Sequence, residues 1–206
     1  SEPAGEWIEN RRDRRPRNLL LSIGRVVHQK VPLFLEPVHG HSSALEAILS
    51  ALGPESLFIM LGSGEKVFED RFSEIAGSCD NFLYLRGYVD FLSDPLYSEA
   101  DLFLMPSSFE PCGISQMLAM RAGQPCAVHA VGGLKDTVKD KVTGFVFDGK
   151  TPAEQAQNFV SCVLGAIAMR QEDPSQWETV CSNAASLRFS WPVAANSYLE
   201  TLYYAD

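Results

Sequence analysis

Three short segments hold residue types suited to binding anions and sugars. In Gly24-Arg25-Val26-Val27-His28-Gln29-Lys30 two cations stand five residues apart, just beyond an apolar run. A guanidinium offers a fork to two oxygens and an ammonium offers a point charge, so the pair could neutralise a pyrophosphate. Taken alone, an Arg and a Lys in a loop are usually solvated. In the segment Pro106–Met120 a carboxylate, Glu110, lies in a Pro-bounded loop that runs into a helix start at Gly113. Free N–H groups at a helix start, with the helix dipole behind them, suit a phosphate. Glu110, just ahead of that turn, could accept hydrogen bonds from sugar hydroxyls; an ordinary loop carboxylate would read the same way. Gly132-Gly133-Leu134 forms a second amide-rich turn, and Gly62-Ser63-Gly64 and Gly87-Tyr88 follow two further apolar runs. Tyr88 could stack on a base or belong to the core. Together these segments describe a pocket for a nucleotide diphosphate.

Such a pocket needs elements that carry all these loops to one edge. The runs at 18–24, 56–62, 81–87, 100–107, 124–131 and 143–148 are short and continuously apolar, the form expected of strands buried on both faces of a parallel sheet. Amphipathic stretches at 43–52, 66–77, 93–100, 113–122 and 134–139 fall between them, and helices at 152–170, 175–188 and 192–204 finish the chain. Strands alternating with helices predict an α/β fold: a Rossmann-like, doubly wound parallel sheet of about six strands. Ligands of such sheets bind at the carboxyl ends of the strands, where all the segments named above lie.

Other chemistries are excluded on context. Gly144–Thr151 satisfies the phosphate-loop pattern GxxxxGK[ST], but Phe145-Val146-Phe147 reads as the strand itself and Thr151-Pro152-Ala153-Glu154 as a helix cap. No GxGxxG follows the first strand and no GxSxG occurs. His28, His39, His41 and His129 lack the i, i+4 spacing of metal ligands, so surface or supporting roles are expected and no metal. The five cysteines show no CxxC spacing and fit free thiols in a reducing, cytoplasmic setting. A formal charge of -9 over 206 residues has the wrong sign for a nucleic-acid partner, and no apolar run approaches membrane-spanning length. Five arginines crowd residues 11–17, so 1–17 read as an Arg-rich tail or linker and 18–206 as the domain.

The motifs resemble a known family. Phe109-Glu110-Pro111-Cys112-Gly113-Ile114-Ser115-Gln116 is similar to the FEPCGLTQ segment of bacterial glycogen synthases and plant starch synthases. Gly24-Arg25 through Gln29-Lys30 resembles their GRLTxQKG loop, Leu61–Gly64 their LGSG, 100–107 their ADxFLMPS, and Gly132–Val138 their GGLxDTV. Thr143-Gly144-Phe145 and Phe189-Ser190-Trp191 fall in the family order as well. The resemblance implies one half of a GT-B glycosyltransferase, the C-terminal domain that binds the nucleotide sugar, with retaining chemistry, no metal and no cofactor. A two-domain enzyme needs about twice this length, so the chain is expected to be the donor half, inactive without an N-terminal domain that would hold an α-glucan acceptor. The last helix, 192–204, resembles the segment that crosses back to that domain.

Carried over by position, the substrate would be ADP-glucose and the product ADP. Arg25 and Lys30 would bind the pyrophosphate and stabilise the departing ADP, and Glu110 would hold glucose hydroxyls. Cys112, Gly113, Ile114 and Ser115, with Gly132, Gly133 and Leu134, would cradle phosphate or sugar, and Tyr88 would stack on adenine. The sequence departs from the family at Val26-Val27, Val31, Ser108 and Val131, and 31–43 has no clear counterpart. Leu118 stands where many retaining relatives carry a second Glu; the synthases lack it too. Two alternatives accompany this reading: a GT-B transferase or epimerase that uses a UDP-sugar, and a non-catalytic partner module, motivated by Ser108 and Val131.

Overall fold

The computed structural model describes residues 15–87 and 90–203. Six strands form one parallel sheet: β1 (Leu19–Ile23), β2 (Leu57–Gly62), β3 (Phe82–Arg86), β4 (Leu102–Met105), β5 (Cys126–His129) and β6 (Gly144–Phe147), in the order β3-β2-β1-β4-β5-β6. All pairings are parallel, from Leu21 beside Ile59 to Val128 beside Val146. The chain builds outward from β1 to β3, then returns to place β4 on the other side of β1. Loops leaving β1 and β4 therefore part to opposite faces and open a crevice at their carboxyl ends.

The strands are apolar on both sides because both sides are covered. Alternate residues such as Leu20, Phe58, Met60, Leu102 and Leu104 face α1 (Pro32–Leu35), α2 (Ala44–Leu52), α3 (Lys66–Ser78) and α7 (Pro152–Glu172). Leu21, Ile59, Leu61, Phe103 and Val128 face α4 (Asp90–Glu99), α5 (Ser115–Arg121) and α6 (Gly132–Thr137). The helix α8 (Pro174–Ser186) touches both clusters, through Trp177 and Val180 on one side and Ala184 on the other. Every strand and helix expected from the sequence is present, with ends shifted by a few residues. In particular, α4 begins at Asp90 and α6 at Gly132. The last helix, α9 (Trp191–Tyr198), passes into a wider turn at Leu199–Tyr203 and buries none of its residues. No helix among the described residues is long and apolar enough to cross a membrane.

One element was not legible as a period: α1, four residues long. Its Phe34 is 1% exposed and packs on Phe58, Phe72 and Phe159 at centroid distances of 5.7, 6.2 and 5.4 Å. This aromatic anchor ends the loop that leaves β1, so the position of that loop is set by core packing. The rejected phosphate-loop match is settled here too. Gly144–Phe147 is strand β6, and the Thr151 side chain accepts the Glu154 N–H at 3.2 Å as the cap of α7.

Phe34→Ala should cost about 3–5 kcal/mol, the range for truncating a buried aromatic. Thr151→Ala should cost about 1 kcal/mol as a lost cap. Urea denaturation monitored by circular dichroism measures both, and equal losses would contradict the anchoring role of Phe34.

Candidate functional site

The loop after β1 lies directly over the turn after β2. Gly24 N–H donates to the Leu61 carbonyl (3.1 Å), Val26 N–H to Ser63 (3.0 Å), and Glu65 N–H to Val26 (2.8 Å). A Cβ on Gly64 would stand 2.2 Å from the Val26 oxygen, so only glycine fits beneath the loop. Tyr84 of β3 supports the same turn, its hydroxyl donating to the Gly62 carbonyl at 3.1 Å. Burial and the nearby Glu69 carboxylate push the Tyr84 phenol up to about 12, which keeps it a donor at neutral pH. Val31, where the family carries glycine, has φ -115° and ψ -8°, a conformation open to any residue.

The β1 loop is stitched in turn to the β4 loop, for the Gln29 carbonyl accepts N–H groups from Ser108 (2.9 Å) and Phe109 (3.3 Å). This delivers Lys30 to Glu110: Nζ and Oε2 are 2.7 Å apart, with the side chains 19% and 9% exposed. Ser107 Oγ lies 3.5 Å from the same oxygen, at the outer limit of a hydrogen bond. Oε1 of Glu110 makes no hydrogen bond among the described residues and is available to a ligand. Arg25 is exposed and has no ion-pair partner among the described residues. A small open cleft between these loops is lined by Ser22, Gly24, Arg25, Lys30, Met105 and Ser107, at the carboxyl ends of β1 and β4.

The two amide-rich turns behave differently. At the start of α5 no acceptor within the described residues takes the N–H groups of Gly113 to Met117; the first helical donor is Leu118, to Ile114 at 3.0 Å. That edge is open to an anion. At the start of α6 the Gly133 N–H donates to the Glu110 carbonyl (3.0 Å) and the Leu134 N–H to Val131 (3.1 Å). Gly132, at φ +42°, would place a Cβ 2.1 Å from the Glu110 oxygen. The Gly132-Gly133 turn thus closes against the Glu110 loop through the Gly133 N–H, while the Leu134 N–H is taken up within the turn itself. Gln116, fully buried, joins the start of α5 to the end of α6: its Nε2 lies 3.1 Å from the Cys112 carbonyl, 3.0 Å from that of Gly113 and 3.3 Å from Thr137 Oγ1.

Arg25, Lys30, Glu110, Cys112–Ser115 and Gly132–Leu134 therefore gather at one edge of the sheet; Tyr88 lies outside the described residues. Sequence reasoning did not single out Gln29 or Ser107, whose parts rest on main-chain contacts across loops, or Gln116, whose buried side-chain amide makes its contacts. It set His129 aside as a metal ligand, and the ring is buried against Ser107, with Nδ1 2.9 Å from that carbonyl.

A family profile described as "Glycosyl transferases group 1" matches residues 5–165. Over 195 residues the chain is 35% identical to the glycogen synthase of Streptococcus pneumoniae strain CGSP14, covering 89% of this chain and 40% of that protein. The chain thus spans well under half the length of this relative. The catalytic domain of starch synthase IV from Arabidopsis thaliana, solved with ADP and acarbose, superposes with a TM-score of 0.75 at 29% identity, over 96% of this chain and 41% of that one. Anabaena HepE, solved with UDP, superposes at 0.64 with 21% identity over 98% and 53% of the two chains, a likeness of fold.

The five thiols of the site and core differ in exposure, which gives a direct check on this geometry. Cys112 is exposed beside the open α5 start, whereas burial pushes Cys126 far up, Cys162 up to about 12 and Cys181 up to about 11. A thiol reagent at about pH 8 should label Cys112 well before these three, because the thiolate is the reacting form. Peptide mass spectrometry reads the order, and early labelling of Cys126 would contradict the burial of β5.

Proposed function

The chain belongs to the glycosyl transferases group 1 family, and from that premise we propose that it is the donor-binding half of a retaining glucosyltransferase. Its donor is ADP-glucose and its acceptor the non-reducing end of an α-1,4-glucan, held by a second, N-terminal domain. The observation that carries this reading is the Lys30–Glu110 pair, its carboxylate buried and its ammonium half-buried, beside an Arg25 with no ion-pair partner among the described residues and an open row of N–H groups at the start of α5. Cations and amides facing a carboxylate with one free oxygen match a ligand that is an anion at one end and a polyol at the other.

In this reading Arg25 and Lys30 bind the pyrophosphate. Departure of ADP builds negative charge on its terminal phosphate, and fixed cations in a water-poor cleft stabilise such charge most where it develops. N–H groups of Gly113, Ile114 and Ser115 hold the phosphate oxygens, with Cys112 alongside. Glu110 Oε1 takes the glucose hydroxyls and aims the anomeric carbon, while Gly132, Gly133 and Leu134 fix the Glu110 loop from behind. Tyr88 stacks on adenine. Support for the glucan pathway comes from the likeness to a glycogen synthase and to a starch synthase domain solved with ADP and acarbose. The exposed apolar residues of α9, Trp191 and Val193 among them, suit a helix that continues onto the acceptor domain.

Calorimetry of the chain with ADP, UDP and ADP-glucose tests the proposal. ADP and ADP-glucose should bind and UDP should compete poorly; no response to any of them at millimolar concentration would sink it. Arg25→Ala should weaken ADP by about 1.5–3 kcal/mol, the range for hydrogen bonds to charged groups, with stability unchanged. Lys30→Ala should weaken ADP similarly but also destabilise the fold, because Glu110 is left buried without its partner. The double variant Lys30→Ala/Glu110→Gln should recover stability and not ADP affinity.

A further inference from the structure

The geometry points to His129 as a positioning residue that sets the sugar-facing end of the site, acting on Glu110 through the Ser107 carbonyl; this rests on the donor-binding reading above. His129 is the last residue of β5 and is 2% exposed. Its ring lies flat on Phe147, with centroids 5.1 Å apart and planes at 8°, so its direction is fixed by packing. Nδ1 is 2.9 Å from the Ser107 oxygen. A carbonyl can only accept, so Nδ1 carries a proton.

Nε2 has no hydrogen-bond partner among the described residues, and Asp148 Oδ1 is 3.7 Å away. A buried polar atom without a partner is unfavourable, and an apolar residue of similar size would avoid it. What the imidazole contributes here is therefore its Nδ1–H. Ser107 lies two residues past the end of β4, where the ladder no longer supplies a donor, and it is 1% exposed. Held by His129, its carbonyl fixes the start of the loop whose other end is Glu110. Ser107 Oγ, 3.5 Å from Glu110 Oε2, lies on the same path. The Lys30 side of the site, although also joined to the β4 loop through Gln29, is fastened to the β2 turn by Gly24, Val26 and Glu65, so the pyrophosphate end keeps a support separate from the Ser107 carbonyl.

This separation gives a readout that a merely structural residue would not produce. His129→Leu in the full chain should lower ADP-glucose affinity on the order of tenfold, the loss expected when one charged hydrogen bond is misplaced. Its ADP affinity should change by less than about twofold, since the pyrophosphate end keeps its support. His129→Asn places an amide N–H where Nδ1–H stood and should restore the ADP-glucose preference; His129→Gln, whose amide stands nearer the Nε2 position, should not. Thermal melts accompany each titration. Equal losses for both ligands, or an unchanged ratio in a folded His129→Leu, overturn the proposal. If the Leu variant does not fold, the Asn and Gln variants decide, and equal ratios in those two overturn it. A wild-type chain that binds neither ligand fails the donor-binding reading first and removes this inference with it; a wild-type chain that binds both, with His129→Leu indistinguishable, removes this inference alone.

Discussion

The Lys30–Glu110 ion pair is the constraint on which the rest of the site depends. Two charges taken largely out of water are favourable only when each has the other, and breaking such a pair costs roughly 3–5 kcal/mol. Lys30 comes from the loop after β1 and Glu110 from the loop after β4, 80 residues apart in sequence. They can meet only if β1 and β4 are neighbours, as the order β3-β2-β1-β4-β5-β6 makes them. On the donor-binding reading, the pair also prepares the site for an anion. Lys30 already shares its charge with Glu110, so an arriving diphosphate meets Arg25 and the α5 amides first and then competes for the ammonium. Glu110 keeps one oxygen outside that contest, which is where a sugar hydroxyl can be held.

Around the pair the structure is rigid because backbone is fastened to backbone. The β1 loop is tied to the β2 turn and to the β4 loop, and the Glu110 carbonyl is tied to Gly133. Glycines at 64 and 132 allow these approaches, since a Cβ at either would fall about 2 Å from a carbonyl oxygen (2.2 and 2.1 Å). Phe34 then secures the far end of the β1 loop in the aromatic core. Positioning groups on strand ends with short, locked loops keeps the cost of ordering the ligand low.

Much of this was legible in the sequence, and what was not has a physical explanation. Apolar runs such as LFIMLG, short and continuous, read as two-sided strands, so the sheet and its carboxyl edge followed, and Arg25, Lys30 and Glu110 fell at the edge where ligands of such sheets bind. Helix α1 was missed because four residues carry no period; its anchor, Phe34, declares itself only through Phe58 and Phe159. Gln29 and Ser107 act through main-chain atoms, which no side-chain pattern reports. Gln116 reads as a polar helix residue yet is fully buried, because its amide bridges α5 and α6 across 21 residues to Thr137. The two glycine-rich turns looked alike in sequence, and only the acceptors nearby distinguish the open one from the closed one.

The net charge of -9 appears at odds with an anionic ligand, and distance resolves the conflict. At physiological ionic strength charges are screened beyond about 8 Å, so most of the acidic surface is felt weakly at the cleft. On the donor-binding reading Arg25 and Lys30 act at contact, where screening is least, and the half-buried Lys30 sits where the effective dielectric is below that of water. The global charge therefore bears mainly on how often a nucleotide sugar arrives, and the local cations on how firmly it stays. A single wall of this kind can grip the diphosphate and orient the sugar, but it leaves the outer face of the anomeric carbon exposed to water. Transfer to a glucan in preference to water requires that face to be covered, which on this reading falls to the acceptor domain across the cleft.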